Sequence, residues 1–433
     1  MRRNAIQKVF KRVGGAKLRN FFRELGPGLI TGAADDDPSG ISTYSVAGAS
    51  FGYGQLWTAL FSFPLMTAVQ LMCAHLGMVT GQGLAGVVRR RYPAPVLWGA
   101  CALLMVANTF NIGADLGGMA EVTQMMTGVS AYVWLPLFTV VIVVLLVWFS
   151  YNHIVKVFKW LTLVLFAYVM AAFLAHPHWS DVLKATFVPQ LKLNAEYLAT
   201  FLGVLGTTIS PYLFFWQAAQ EVEEERKMGR KTVHARRGAT DEELAAARAD
   251  VITGMAVSNV TMYFIILTTG ATLYVSGHRD IETARQAAEA FRPLAGNGAY
   301  LLFTLGLLGT GMLGVPVLAG SAAYAVAEAM HWRGSLADRP RKAPKFYAIL
   351  AIAMMLGLVL NFLKLDAVRM LFWSAVLNGA LAPPLVVLVT LLSGDKKVME
   401  SRLSSPVLQT LGWVTAAIMG LATIVMIVLW LRT

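Results

Sequence analysis

Cysteine is nearly absent. The 433 residues include two, Cys73 and Cys101, both inside apolar runs and in no Cys-x-x-Cys spacing. That excludes a disulfide framework and a thiolate metal site and leaves two ordinary buried thiols. Charge is scarce as well. Asp, Glu, Lys and Arg make up 14% of the chain, where a soluble domain has about a quarter. A soluble fold is thereby excluded, and the 57% hydrophobic composition points the same way. The charge that remains is unbalanced, +12 overall. In a soluble chain that excess suggests nucleic acid; here the placement of the basic residues argues against such a partner.

What is abundant is apolar sequence in runs too long for a core helix, such as residues 132–149 and 406–430. About 18 consecutive apolar residues read as a membrane span. The pattern predicts an all-α polytopic membrane protein with about eleven spans, at roughly 27–50, 54–80, 96–126, 132–150, 154–175, 196–221, 249–275, 299–330, 346–363, 369–392 and 406–431. With the N-terminus in the cytoplasm, 28 of the 36 Lys and Arg fall on cytoplasmic segments, eight before residue 27 and seven within 222–248. This is the bias expected of cytoplasmic loops. The basic cytoplasmic segment 1–26 is therefore expected to lie on anionic membrane lipid, with no nucleic acid as partner. Residues 27–431 read as a single membrane transport domain.

The polar residues inside the spans carry the chemistry. Span one holds ADDDPSG, residues 34–40, with three carboxylates directly before Pro38. One carboxylate at the centre of a span costs about 3 kcal/mol to insert. Three in a row cannot all be buried and ionised, so some are wet, protonated or paired with a cation. Asp37, directly before the break, is the best-placed ligand. Asp35 and Asp36 point to other sides of the helix, since neighbours lie about 100° apart, and read as vestibule or gate residues. Span six holds GTTISPYLFF, with Pro211 near its middle. Five spans apart, the two segments cross in opposite directions. The breaks thus fall at matching positions of two inverted halves, 27–175 and 196–392, with 406–431 as an extra span. Broken helices so related mark a transporter's midplane site. Freed backbone carbonyls beside a carboxylate suit a hard cation; the alternative is that each proline merely kinks its helix. In span three, VANTFNIGADLGGMAE places Asn108, Asn111 and Asp115 at i, i+3, i+7, on one helix face. That stripe reads as an ion or proton pathway, or as a hydrogen-bonded seam between helices. Asn378 in span ten either completes a cation's shell or caps a break before Pro383 and Pro384.

GPGLITGAADDDPSG, GTTISPYLFFWQ and NIGADLGGMAE resemble the first, sixth and third spans of the NRAMP (natural resistance-associated macrophage protein) divalent-metal transporters, over essentially the whole chain. The resemblance implies a LeuT-like fold of five plus five inverted-repeat helices with one extra span. It implies divalent-metal uptake by alternating access. It makes Asp37 the charged ligand, with backbone carbonyls from around Ala34 and Thr207. At the other ligands the chain departs from the family. The family's Asn falls on Gly40, its Met on Ser210, just before Pro211, and its His on Tyr212. The Asp linked to proton transfer falls on Asp115, and the Glu one turn further falls on Gly118. The Gln of span ten falls near Ala375, with Asn378 one turn on.

These departures imply a cargo. Ser210 replaces a soft thioether by a hard hydroxyl. Fewer side-chain ligands leave room for the waters that Mg²⁺ keeps. Tyr212 lacks the imidazole that titrates nearest neutral pH. The chain resembles the NRAMP-related magnesium transporters most, so the expected cargo is Mg²⁺ or Mn²⁺ with weak or no proton coupling. The cation is substrate; no cofactor and no enzymatic activity are expected. A monomer in a prokaryotic plasma (inner) membrane is expected. The rivals are a proton-coupled Mn²⁺/Fe²⁺ importer and a LeuT-fold symporter of an organic solute whose amine would meet Asp37.

Overall fold

The structure, a computed structural model, describes residues 26–148, 163–281, 283–363 and 366–432. The basic segment, apart from its last residue, and the first part of the fifth span lie outside the described residues. Among the described residues, nine helices are long and apolar enough to cross a membrane. Two expected spans are not among the nine for simple reasons. Span one carries Asp35, Asp36 and Asp37 in every stretch long enough to cross, and the fifth span is described only from residue 163.

The first span is split into α1 (Pro27–Asp35) and α2 (Pro38–Phe51). Then come α3 (Trp57–Thr80), the short α4 (Leu84–Arg91), α5 (Ala94–Thr127), α6 (Ala131–Trp148) and α7 (Phe166–Leu174). The sixth span is likewise split, into α8 (Ala195–Thr208) and α9 (Pro211–Lys227). The chain continues through α10 (Asp241–Thr269), α11 (Ala299–Ala329), α12 (Pro344–Leu360), α13 (Ala367–Ser393), the short α14 (Lys396–Met399) and α15 (Pro406–Trp430).

The two breaks share one local geometry. A proline cannot donate at the first helical position and forces the residue before it into an extended conformation. Asp37 (φ −70°, ψ 172°) precedes Pro38, and Ser210 (φ −79°, ψ 135°) precedes Pro211; each is the N-cap of the following half-helix. The residues that end the preceding halves, Asp36 (ψ 51°) and Ile209 (ψ 55°), also match. At both breaks the residue before the proline is extended and the helix is interrupted. Pro383 and Pro384 do not break theirs: α13 runs through both without interruption. Asn378 therefore caps no break.

The three most apolar spans are the least buried. The apolar window of the sixth span is wholly buried, whereas α6, with mean hydropathy 2.5, is 22% buried and α15 is 28% buried. Exposed Val140, Trp148, Leu421 and Trp430 face outward from the bundle, as suits helices whose solvent is lipid. The charged connectors gather at one end. Arg402 pairs with Asp241, Arg237 lies 3.9 Å from Glu400, and Arg91 pairs with Asp395. This end is called the basic face below. Toward it, α1 crosses α10 at glycines: a Cβ on Gly32 would stand 2.2 Å from the Gly254 carbonyl oxygen. Small residues allow that approach and larger ones forbid it.

Candidate functional site

The first break places Asp37 in the interior, 2% exposed. Its Oδ1 does the work of an N-cap. It accepts from the Gly40 amide and the Ser39 hydroxyl, each at 2.8 Å. Its Oδ2 accepts from Asn111 Nδ2 at 2.7 Å and from the Tyr212 hydroxyl at 3.4 Å. Four donors occupy a carboxylate that offers about four lone-pair sites. Gly40, expected near the metal, contributes an N–H, and a Cβ there would lie 3.3 Å from the Asp35 carbonyl oxygen. Tyr212 also donates to the Ala34 carbonyl at 2.9 Å. One hydroxyl from α9 thus touches both expected donors of the first break.

Asp115 stands beside this group. Its Oδ1 accepts from the Ser39 amide and its Oδ2 from Asn111, both at 3.2 Å. Asn111 therefore bridges the two carboxylates. Its own Oδ1 accepts from the Asn378 amide at 2.8 Å and the Ser39 hydroxyl at 3.2 Å. Asn378 Oδ1 is buried without a hydrogen-bond partner among the described residues. The structure so unites Asp37, Asn111, Asp115, Tyr212 and Asn378, from four separate helices or half-helices. Asn108 does not join them. It donates to the Leu318 carbonyl and the Ser321 hydroxyl of α11. It sits about 4.5 Å along the axis from Asn111.

In the second break, Ser210 donates to the Gly206 and Thr207 carbonyls at 2.6 and 2.7 Å. The Thr207 hydroxyl bonds Tyr44 of α2 at 2.8 Å. Ser210 thus closes the end of α8, and Tyr44 ties that end to the first break. Asp35 and Asp36 face α10 rather than an opening. Ser258 donates to Asp35 and lies 3.2 Å from Asp36, and both carboxylates are buried. Sequence reasoning missed Ser39, Tyr44 and Ser258; a hydroxyl in an apolar helix gives no periodic signal.

Toward the basic face the site is shut. The Thr31 hydroxyl donates to Gln217 at 2.6 Å, and the Gln217 amide donates to Glu221 at 2.8 Å. Asp250 accepts from the Gly28 amide at 2.6 Å and the Leu29 amide at 3.3 Å, capping α1 where its free N–H groups favour an anion. Among the described residues no group of three or more His, Cys, Asp or Glu could hold a metal.

Residues 28–429 match the family model described as natural resistance-associated macrophage protein-like. A divalent metal cation transporter MntH of Klebsiella pneumoniae is 27% identical over 400 residues, 91% of each chain. One of Aeromonas hydrophila is 28% identical over 407 residues, 92% of this chain and 93% of the relative. A manganese transporter of Eremococcus coleocola in complex with an aromatic bis-isothiourea substituted compound superposes with TM-score 0.73 at 18% identity, covering 95% of this chain and 87% of that one. Mhp1, a nucleobase-cation-symport-1 family transporter in a closed conformation, gives 0.59 at 14% identity over 94% and 92%. At such identities the structural likeness shows the fold, and it is LeuT-like.

Proposed function

The chain belongs to the natural resistance-associated macrophage protein-like family, and on that premise we propose that it carries a hard divalent cation, Mg²⁺ or Mn²⁺, bound at Asp37 and released by alternating access. It is a multi-pass membrane transporter and not an enzyme. The observation that carries the finer reading is the set of groups bonded to Asp37: hydroxyls, an amide N–H and a carboxamide, with no sulfur and no imidazole. Hard oxygens favour Mg²⁺ and Mn²⁺ over soft metals.

The geometry also suggests how the cation is received. Oδ1 stays committed to capping α2, so the metal approaches Oδ2. Asn111 and Asn378 turn their amides to present oxygen in place of nitrogen; the unpartnered Asn378 Oδ1 is the acceptor this exchange needs. Ala34, Thr207 and Ser210 add oxygens from the breaks when α1 and α8 move. In this reading the repeats are 27–175 and 196–392, α15 is the extra span, and the basic face is cytoplasmic in an inner membrane. With Tyr212 in the place of an imidazole, transport runs down the membrane potential without obligatory proton movement.

A second reading has one observation in its favour. The Met119 thioether sulfur and Pro38 Cγ lie 2.4 and 3.2 Å from where a Cβ on Gly311 would stand. A thioether beside the first break would serve a soft metal, as in a proton-coupled Mn²⁺/Fe²⁺ importer. Uptake of Mg²⁺, Mn²⁺, Ca²⁺ and Cd²⁺ into proteoliposomes, with internal pH followed, separates the two. Mg²⁺ or Mn²⁺ uptake without acidification supports the hard-ion reading; Cd²⁺ preference with acidification replaces it. In the same assay Ser210→Met should raise Cd²⁺ uptake relative to Mg²⁺ by about tenfold, on the order of 1.4 kcal/mol. An unchanged ratio would remove Ser210 from the site.

A further inference from the structure

A cavity of about 220 Å³ opens on the basic face, and none of the residues around Asp37 lines it. Its walls carry Gln82 after α3, Arg90 and Arg91 of α4, and Lys397 of α14, over apolar Val87 and Val398. The sequence explains the placement. Arg89, Arg90 and Arg91 end α4, where cations complement the helix C-terminus. Asp395 caps α14 and thereby fixes the backbone of Lys397, whose amide it accepts at 2.8 Å.

The charges in this cavity are unequal in role. Arg91 donates to Asp395, and this holds the Asp395 carboxyl below the ordinary carboxylate range. That pair is neutral as a unit. Arg90 and Lys397 are exposed and make no ion pair among the described residues. Elsewhere on this face many cations are matched: Arg226 with Glu223, Arg230 with Glu243, Arg333 with Asp338. The cavity is therefore a concave surface on which Arg90, Arg91 and Lys397 face a single carboxylate, Asp395, leaving a net positive charge beside a neutral amide.

The residues that follow its walls in the sequence say where it lies. Val96 and Trp98, in the first turns of α5 just after α4, are 37% and 44% exposed, and Val407 in the first turn of α15 is 67% exposed. Apolar side chains bared at the starts of two spans, with a tryptophan among them, mark the boundary between headgroups and hydrocarbon. At about 30 Å³ per water, the volume holds several waters or one polar headgroup.

We propose that this cavity binds the phosphate of an anionic lipid headgroup in the leaflet on the basic face. Arg90 and Lys397 supply the charge and Gln82 a neutral donor. The acyl chains descend along Val96 and Trp98. The assignment does not depend on which ion the protein transports. A free phosphate ion would satisfy the same cations, but it would not use the apolar rim.

Native mass spectrometry of the purified full-length protein, taken from membranes of phosphatidylcholine and phosphatidylglycerol, tests this. Wild type should retain phosphatidylglycerol. Arg90→Gln with Lys397→Gln should weaken retention about thirtyfold, as two interfacial cations are removed. The paired variant Arg333→Gln on the same face should not, and size-exclusion profiles of all three should agree. Retention by the double variant equal to wild type overturns the proposal. So does displacement of the lipid by inorganic phosphate at low millimolar concentration, which would assign the cavity to the free ion.

Discussion

Asp37→Asn should lower divalent-cation uptake into proteoliposomes by about thirtyfold to several thousandfold while leaving the protein folded. Asparagine caps a helix as well as aspartate does, so the bonds from Gly40 and Ser39 to Oδ1 survive. What is lost is the charge. Removing one partner of a buried charge–charge contact costs about 2–5 kcal/mol, and a tenfold change is about 1.4 kcal/mol. Asp115 remains next to the site but meets Asp37 through Asn111 and Ser39 rather than through a shared oxygen, so it does not substitute. Asp37→Ala would confound the result by removing the cap too. Wild-type rates in Asp37→Asn, at matched thermal stability, would move the charged ligand elsewhere, with Asp115 the next to test.

Gly254→Ala should be severely destabilising although it adds one methyl group. The new Cβ would stand 2.1 Å from the Gly28 carbonyl oxygen and 3.0 Å from the Leu29 Cα. Both are backbone, so no flexible side chain can give way; α1 and α10 must separate along the whole crossing. Overpacking of this kind costs about 1–3 kcal/mol and sometimes more, and separation would also pull the Gly28 and Leu29 amides off Asp250. Gly99→Ala is the control. Gly99 lies within α5 with nothing near its Cβ direction, so alanine there should be neutral or stabilise by up to about 1 kcal/mol. Thermal unfolding followed by fluorescence-detected size exclusion reads both. If Gly254→Ala melts with wild type, the close approach of α1 and α10 at this glycine is not what holds the crossing.

Much of this architecture was legible before any coordinates because its causes are local. Asp-Pro and Ser-Pro at residues 37–38 and 210–211 break their helices through the backbone restriction that proline imposes on its predecessor. Pro383 and Pro384 look similar in the sequence yet sit inside an unbroken α13. A proline offers a break and the surrounding packing decides whether it is taken. The polar stripe of span three shows the same limit. Asn108, Asn111 and Asp115 share a face by periodicity alone, but Asn108 bonds α11 while the other two bond the first break. Which partner a residue on a face meets depends on where a neighbouring helix crosses.

The sequence by itself determined the membrane class, the spans, the two opposed breaks and the gathering of basic connectors on one face. Hydropathy, proline chemistry and charge act over a turn or two of chain, so neighbouring residues suffice to express them. Only the tertiary structure decided that Asn111 bridges Asp37 to Asp115, that Ser258 takes Asp35 and Asp36, that Thr31 and Gln217 seal the basic side, and that Arg90 and Lys397 share a cavity. These contacts join residues tens to hundreds of positions apart. They are set by how closely helices approach at glycines such as Gly32 and Gly254, a distance that no local pattern encodes.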